Sequence, residues 1–89
     1  MITKLERLDI EKKVRNIVIK RFDLKNLKEE DITPESDFCA EFGADSLDLV
    51  ELKMLLEVGF GISISEEEEE IKTIRDAVDR IIKEKEKMN

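Results

Sequence analysis

The residues best suited to chemistry are three consecutive ones, Asp45, Ser46 and Leu47, where a loop is predicted to become a helix. Gly43 just before them allows a turn, and Asp45 or Ser46 can accept hydrogen bonds from the first free N–H groups of the helix. The Ser46 hydroxyl is then displayed at a helix N-terminus, where the helix dipole favours a phosphate ester. Taken alone, the pattern is more typical of a serine that only caps the helix.

The composition excludes the commonest forms of catalysis. The 89 residues include no His, Trp or Tyr and one Cys, which excludes a histidine base, a Cys–His nucleophile and a Cys/His zinc site. We therefore predict that the chain is not an enzyme and assign no catalytic residue. The single cysteine, Cys39, is expected to be a small buried apolar residue in a protein of a reducing compartment.

The length and the hydropathy pattern predict a single domain over residues 1–89. The start of the chain has no hydrophobic signal segment, and the apolar runs are too short to span a membrane. We expect a cytoplasmic monomer.

The formal net charge of -7 is distributed unevenly along the chain. Residues 31–70 carry thirteen acidic residues and one basic residue, Lys53, whereas residues 1–21 carry seven basic residues and three acidic ones. An acidic middle repels nucleic acid and anionic lipid and favours partner proteins with basic patches. The basic side of the first segment either faces solvent or is attracted to this acidic middle.

The first half of the chain contains two strong helix signals. Thr3 and Glu6 can form a capping box, and apolar residues recur at helical spacing behind it, which predicts a first helix over Lys4 to Phe22. A long connection of poor periodicity follows, from residue 23 to residue 44. A second helix is predicted from Ser46 to Val58, with Gly59 as its left-handed stop.

The second half adds two more helices. Ser65 with Glu68 predicts a short helix through residues 66–71, and Thr73 with Asp76 predicts a last helix from residue 74 to residue 82, followed by a frayed tail. The pattern indicates an all-α fold, a small four-helix bundle of three longer helices and a short third one, with a long loop between the first two.

The second helix carries two apolar stripes. Leu49, Leu52 and Leu56 form one stripe, which we expect to face the core. Leu47, Val50 and Met54 form the other, beside acidic residues. The second stripe is either an exposed docking surface or buried as well, as in a central helix.

The segment Gly43-Ala44-Asp45-Ser46-Leu47-Asp48, followed by Val50-Glu51-Leu52, resembles the prosthetic-group site of acyl carrier proteins. The likeness extends from about residue 10 to about residue 82. It implies that Ser46 receives covalent 4'-phosphopantetheine from coenzyme A through a phosphopantetheinyl transferase, with Asp45 supporting the magnesium site of the transferase. The thiol of the arm would carry acyl groups as thioesters, in fatty acid or related polyketide-type or specialised lipid biosynthesis.

The resemblance also implies a docking surface for the transferase and for acyl-loading and acyl-processing enzymes, and an acyl pocket between the second and fourth helices. The predicted docking residues are Leu47, Asp48, Val50, Glu51, Met54 and Glu57. The apolar pattern predicts a pocket lined by Leu52, Leu56, Ile64, Ile71 and Ile81.

Three departures from the pattern of that family are present. Val58 and Gly59 stand where further acids are common, Ala40 replaces a usual acid, and Lys53 places a positive charge in the middle of the second helix. These departures favour a specialised carrier with dedicated partners.

Two other functions fit the composition. One is an unmodified acidic helical adaptor. The other is a divalent-cation binder, because carboxylates are the ligands that such ions prefer, although the chain has no Asp-x-Asp-x-Asp-Gly loop. We predict no dedicated metal site, only weak binding of Mg²⁺ or Ca²⁺ that relieves repulsion among the acids.

Overall fold

The structure, a computed structural model, describes residues 3–22, 31–64 and 71–87. These ranges form the helices α1 (Lys4–Phe22), α2 (Phe38–Phe42), α3 (Ser46–Phe60) and α4 (Ile74–Lys87). Helix α1 packs against α3 and α4. Within these ranges the only β-type pairing is a single bridge between Asp37 and Thr73. The prediction of a small all-α bundle is confirmed.

The first helix has the bounds that its capping box predicts. The Glu6 N–H donates to Thr3 Oγ1 over 3.1 Å, and the Thr3 N–H donates to the Glu6 carboxylate over 3.4 Å. Three residues at helical spacing, Ile10, Val14 and Val18, are buried on one face. Local capping and one apolar stripe are therefore sufficient to define α1.

The end of α3 differs from the sequence prediction. The helix continues through Gly59 to Phe60, and the left-handed cap is Gly61, with φ +64°. The N–H of Gly61 donates to the carbonyl of Glu57. Gly59 instead allows α1 and α3 to approach closely, since a Cβ at this position would lie 3.1 Å from Ile17 Cδ1. The predicted stop at Gly59 was wrong because a packing glycine and a capping glycine lie two residues apart.

The connection between α1 and α3 contains a helix that the periodicity did not predict. The Asp37 carboxylate caps α2 by accepting two backbone N–H bonds, including that of Cys39 over 2.8 Å, and Gly43 ends the helix at φ +67°. Phe38 is buried and Phe42, one turn later, packs against the core. Cys39 lies on the other side and is exposed, so the expectation of a buried cysteine was wrong.

The last helix begins as predicted and continues further. The Asp76 N–H donates to Thr73 Oγ1 over 3.1 Å, and the Thr73 N–H donates to the Asp76 carboxylate over 3.2 Å. Helix α4 extends to Lys87, so the tail predicted to fray is helical to that residue. The alternation of Lys and Glu allows ion pairs one turn apart, such as Lys87 with Glu84 at 3.3 Å.

Backbone hydrogen bonds connect the segment before α2 to the start of α4. The Ile74 N–H donates to the Ser36 carbonyl over 3.1 Å, and the Arg75 N–H donates to the Pro34 carbonyl over 2.8 Å. These bonds satisfy N–H groups that the first turn of α4 leaves without an intrahelical acceptor. They also hold α2, and the loop that precedes α3, against the bundle.

The core lies between α1, α3 and α4. The fully buried apolar side chains of the described residues are Val14, Val18, Ile32, Phe38, Leu52, Leu56, Ile74, Ala77, Val78 and Ile81.

The predicted short third helix and its Ser65–Glu68 capping box lie outside the described residues, except for Ile71, which is not helical.

We predict that Gly61→Ala lowers the free energy of unfolding by about 1 to 2 kcal/mol, because a side chain strains a residue at positive φ. Urea unfolding measures the change. Gly59→Ala is the control: helix propensity favours alanine there by about 1 kcal/mol, against a small displacement of the Ile17 methyl group. A loss at residue 59 as large as that at residue 61 would contradict the observed end of α3.

Candidate functional site

Ser46 is the first residue of α3 and is exposed. The preceding residue, Asp45, caps the helix: its carboxylate accepts the Asp48 N–H over 2.9 Å, and the Asp48 carboxylate accepts the Asp45 N–H over 3.1 Å. The alternative left open by the sequence is thereby decided, since Asp45 is the cap. Within the described residues, the Ser46 hydroxyl has no hydrogen-bond partner.

Backbone hydrogen bonds fix Gly43 and Ala44, the two residues that precede Asp45. Gly43 adopts the left-handed conformation, and its N–H donates to the Cys39 carbonyl over 3.2 Å. The next residue, Ala44, is buried, and its N–H donates to the Phe38 carbonyl over 3.1 Å. A hydroxyl that follows a fixed turn is presented to solvent in a defined position at the positive end of α3.

The surroundings of Asp48 lower the pKa of its carboxyl. The hydrogen bond from the Asp45 N–H has the largest effect and lowers the pKa of the Asp48 carboxyl; desolvation opposes it, and the nearby Arg21 guanidinium lowers the pKa further. Arg21 Nη2 lies 2.9 Å from Asp48 Oδ1 and also pairs with the Glu51 carboxylate. The last turn of α1 therefore supplies one cation to the first turns of α3, so the attraction to the acidic middle holds at Arg21, while Lys4, Lys12 and Lys20 are exposed to solvent.

The exposed side of α3 combines apolar and acidic residues. Leu47, Val50 and Met54 are exposed, while Leu52 and Leu56 are buried on the opposite side. The alternative in which both apolar stripes of the second helix are buried is therefore wrong. Of the predicted docking acids, Glu51 is exposed and pairs with Arg21, and Asp48 and Glu57 are half-buried.

Glu57 belongs to the structure of the turn after α3. Its carboxylate accepts the Ile64 N–H over 2.8 Å, and its carbonyl accepts the Ile62 N–H over 3.1 Å. These two bonds hold the segment after Gly61 against the helix. The Glu57 carboxylate is therefore engaged by the backbone of the segment that follows the helix.

A small cavity lies beside the inner face of α3. It is lined by Leu49, Leu52, Lys53, Leu56 and Ile71, and its free volume is about 10 Å³, close to that needed for one water molecule. Three of the five predicted pocket residues therefore meet at this cavity. Ile64 and Ile81 are buried elsewhere in the core. The described residues contain no cluster of three potential metal ligands.

Comparison with known proteins agrees with this arrangement. A family model described as a phosphopantetheine attachment site matches residues 12–81. Acyl carrier protein 2 of Pseudomonas aeruginosa is 47% identical over 72 residues, which cover 80% of this chain and 87% of that protein. The chain belongs to the acyl carrier protein family. Acyl carrier proteins are carriers rather than enzymes, and their cofactor is covalent 4'-phosphopantetheine, which this chain accordingly takes.

The residues of the site fit that cofactor. A phosphodiester needs a free hydroxyl with room around it, and the exposed, uncapped hydroxyl of Ser46 provides both. The first N–H groups of α3 point in the same direction and suit an anion. The group supplies a terminal thiol, so the protein itself needs no nucleophile beyond the serine. Among the described helices, none is long and apolar enough to cross a bilayer.

Sequence reasoning missed three features of this carrier protein. Arg21 was not singled out as the partner of two acids, although it was part of a recognised basic segment. Lys53, noted only as a departure, lines the cavity. Leu55 and Val58 are exposed, although neither predicted apolar stripe included them. The sequence feature that could have indicated this is Val58 itself, an apolar residue where further acids are common.

The lowered pKa of Asp48 predicts a specific response to acid. A carboxyl whose pKa is depressed by folding stabilises the fold above its ordinary pKa of 3.8, and this contribution is lost as the pH falls through the folded-state pKa. We expect Asp48→Asn to destabilise the protein at pH 6 and to reduce its loss of stability between pH 5 and pH 3. Urea unfolding across that range measures both effects, with Glu86→Gln as an exposed control. An unchanged slope in Asp48→Asn would contradict the prediction.

Proposed function

We propose that Ser46 is the residue to which the phosphopantetheine arm is attached. In this reaction the hydroxyl oxygen of Ser46 attacks the phosphorus of coenzyme A that bears the pantetheine arm, and the bond to the bridging pyrophosphate oxygen breaks. Adenosine 3',5'-bisphosphate leaves, a phosphodiester forms at Ser46, and the transferase takes up the hydroxyl proton. The observation that carries the proposal is the exposed hydroxyl at the N-terminus of α3, freed from capping by Asp45. Ser46 and the helix N-terminus bind and orient the arm, and the enzymes that it serves supply the catalytic groups.

Asp45 has a second role in this proposal. One of its oxygens, Oδ1, accepts the Asp48 N–H, and the residue as a whole is exposed. Its carboxylate is therefore accessible beside the reacting hydroxyl, and it supports the magnesium ion of the transferase. Carboxylate oxygen is the ligand type that Mg²⁺ prefers.

The proposed docking surface begins at Ser46 and follows the exposed side of α3. Leu47, Val50 and Met54 supply apolar contact, and Asp48 and Glu51 supply charge next to Arg21. Glu57, half-buried and bonded to Ile64, contributes to the local field more than to direct contact. The net charge of -7 attracts a transferase and acyl-loading or acyl-processing enzymes with basic patches.

The acyl pocket is proposed at the cavity beside α3. Because its volume in this state is about 10 Å³, an acyl chain must separate Leu52, Leu56 and Ile71 to enter. Ile64 and Ile81 are buried but do not line this cavity, so the proposal includes them only for a chain that extends beyond it. The apolar lining favours hydrocarbon over water.

The proposed pathway is fatty acid biosynthesis or a related polyketide-type or specialised lipid pathway. The departures at Val58, Gly59 and Lys53 favour a specialised carrier. A cytoplasmic setting is part of this proposal, because a thiol that carries thioesters needs a reducing environment. Weak binding of Mg²⁺ or Ca²⁺ by the acidic surface stays a prediction.

Intact-mass measurement tests the attachment. After incubation with coenzyme A, Mg²⁺ and a broad-specificity phosphopantetheinyl transferase, we expect the wild-type chain to gain the mass of one phosphopantetheine group. Ser46→Ala is expected to gain none, since alanine has no hydroxyl. Mass gain by both chains would assign the attachment to another residue. No gain by either would favour the unmodified adaptor.

A second prediction concerns the pocket. Leu56 is fully buried and lines the cavity, so Leu56→Phe fills space that an acyl chain needs. We expect the melting temperature of the loaded protein to rise with chain length in the wild type and to stop rising at shorter chains in Leu56→Phe. Thermal melts of a series of acylated proteins measure this.

Leu56→Met, which nearly conserves volume, is the control for packing strain at the same position. The same chain-length dependence in Leu56→Phe and the wild type would place the acyl group elsewhere.

A further inference from the structure

The C-terminal half of α3 carries an apolar patch that the proposed docking residues do not fully include. Its members are Met54, Leu55 and Val58, whose exposed fractions are 58%, 42% and 84%. We call these three residues the C-terminal patch. Val58 lies four positions after Met54 and three positions after Leu55, so its side chain is a neighbour of both on the helix surface.

The charges beside this patch already have partners inside the molecule. Glu57, the one acid between Met54 and Phe60, accepts the Ile64 N–H. Further back along α3, Asp48 and Glu51 pair with Arg21. What this part of α3 offers to a partner is therefore mainly hydrocarbon.

The patch is continuous with the proposed docking surface. Leu47, Val50, Met54 and Val58 follow one another at helical spacing along the same side of α3 and are all exposed. With a rise of 1.5 Å per residue, Val58 lies about 18 Å along the helix from Ser46. A partner of ordinary interface size, about 800 Å² on each side, covers that length.

We propose that the C-terminal patch docks into an apolar groove on the enzymes that act at Ser46, the phosphopantetheinyl transferase among them, and that Val58 selects these partners. This inference rests on the proposed function. A basic groove at this position would lose the hydration of its cations and find no carboxylate on the patch, which disfavours it. The net charge of -7 makes a second copy of this chain, or an anionic lipid surface, a poor occupant.

The test depends on whether one substitution raises or lowers the Kd. Val58→Glu adds a carboxylate to the centre of the patch: it weakens docking into an apolar groove and strengthens docking onto a basic one. Every variant is made in the Ser46→Ala chain, which docks without reacting, and calorimetric titration with a broad-specificity phosphopantetheinyl transferase gives its Kd. Asn16→Asp on α1 is the matched control, because it adds the same charge at another exposed position.

We expect Val58→Glu and Met54→Glu each to raise the Kd at least threefold, with Asn16→Asp below that value. A smaller rise or any fall in the Kd for Val58→Glu overturns the proposal, as does an equal effect of Asn16→Asp. Sedimentation at the same concentrations is the second readout: a dimer that Val58→Glu dissociates would assign the patch to a second copy and also overturn it.

The outcome is separable from that of the proposed function. Mass gain by the wild-type chain together with an unaffected Kd for Val58→Glu would refute the docking inference alone. Absence of mass gain would refute the attachment, whatever the Kd values. Thermal melts of each variant confirm that it is folded.

Discussion

Burial of one narrow face of α3 is the constraint on which the rest of the molecule depends. Leu52 and Leu56 are removed almost completely from solvent in the core, where α3 packs against α1, and burial of a leucine side chain contributes about 1.5 to 3 kcal/mol. A helix anchored in this way cannot rotate about its axis without exposing these side chains. The same contacts therefore direct the opposite face outward and place Ser46 at its exposed end.

Both ends of α3 are then set by hydrogen bonds. At the start, the reciprocal bonds of Asp45 and Asp48 cap the helix and leave the serine hydroxyl free. At the end, Gly61 reverses the chain, and Lys13 of α1 donates to the Gly59 carbonyl over 2.6 Å. The division between a capping acid and an uncapped serine is what makes an ordinary helix start suitable for modification.

The acidic character of the chain acts differently at long and short range. The net charge of -7 attracts basic partners from a distance. At contact distance, however, Asp48 and Glu51 pair with Arg21, and Glu57 bonds to the backbone of Ile64. In the docking that we propose, charge brings partners to the helix, and its apolar side chains provide much of the contact surface.

Residue types a few positions apart were sufficient to predict several features. These include the capping boxes that begin α1 and α4, the bounds of α1, the loop-to-helix transition at Ser46 and the resemblance to acyl carrier proteins. A cap and a helical stripe involve neighbours within about four residues, so the residue types of a short segment are enough to predict them. The five-residue α2 was missed because it is too short for periodicity, although Asp37 and Gly43 mark its ends.

Only the tertiary structure decided which of two glycines ends α3, which acids are already paired and which apolar residues remain exposed. Arg21 meets Asp48 across 27 positions of sequence, and Gly59 is a helical residue at which α1 and α3 approach closely. Val58 and Leu56 are both apolar, yet one is exposed and the other buried. Such outcomes depend on how helices pack against one another, and no local pattern of residue types contains that information.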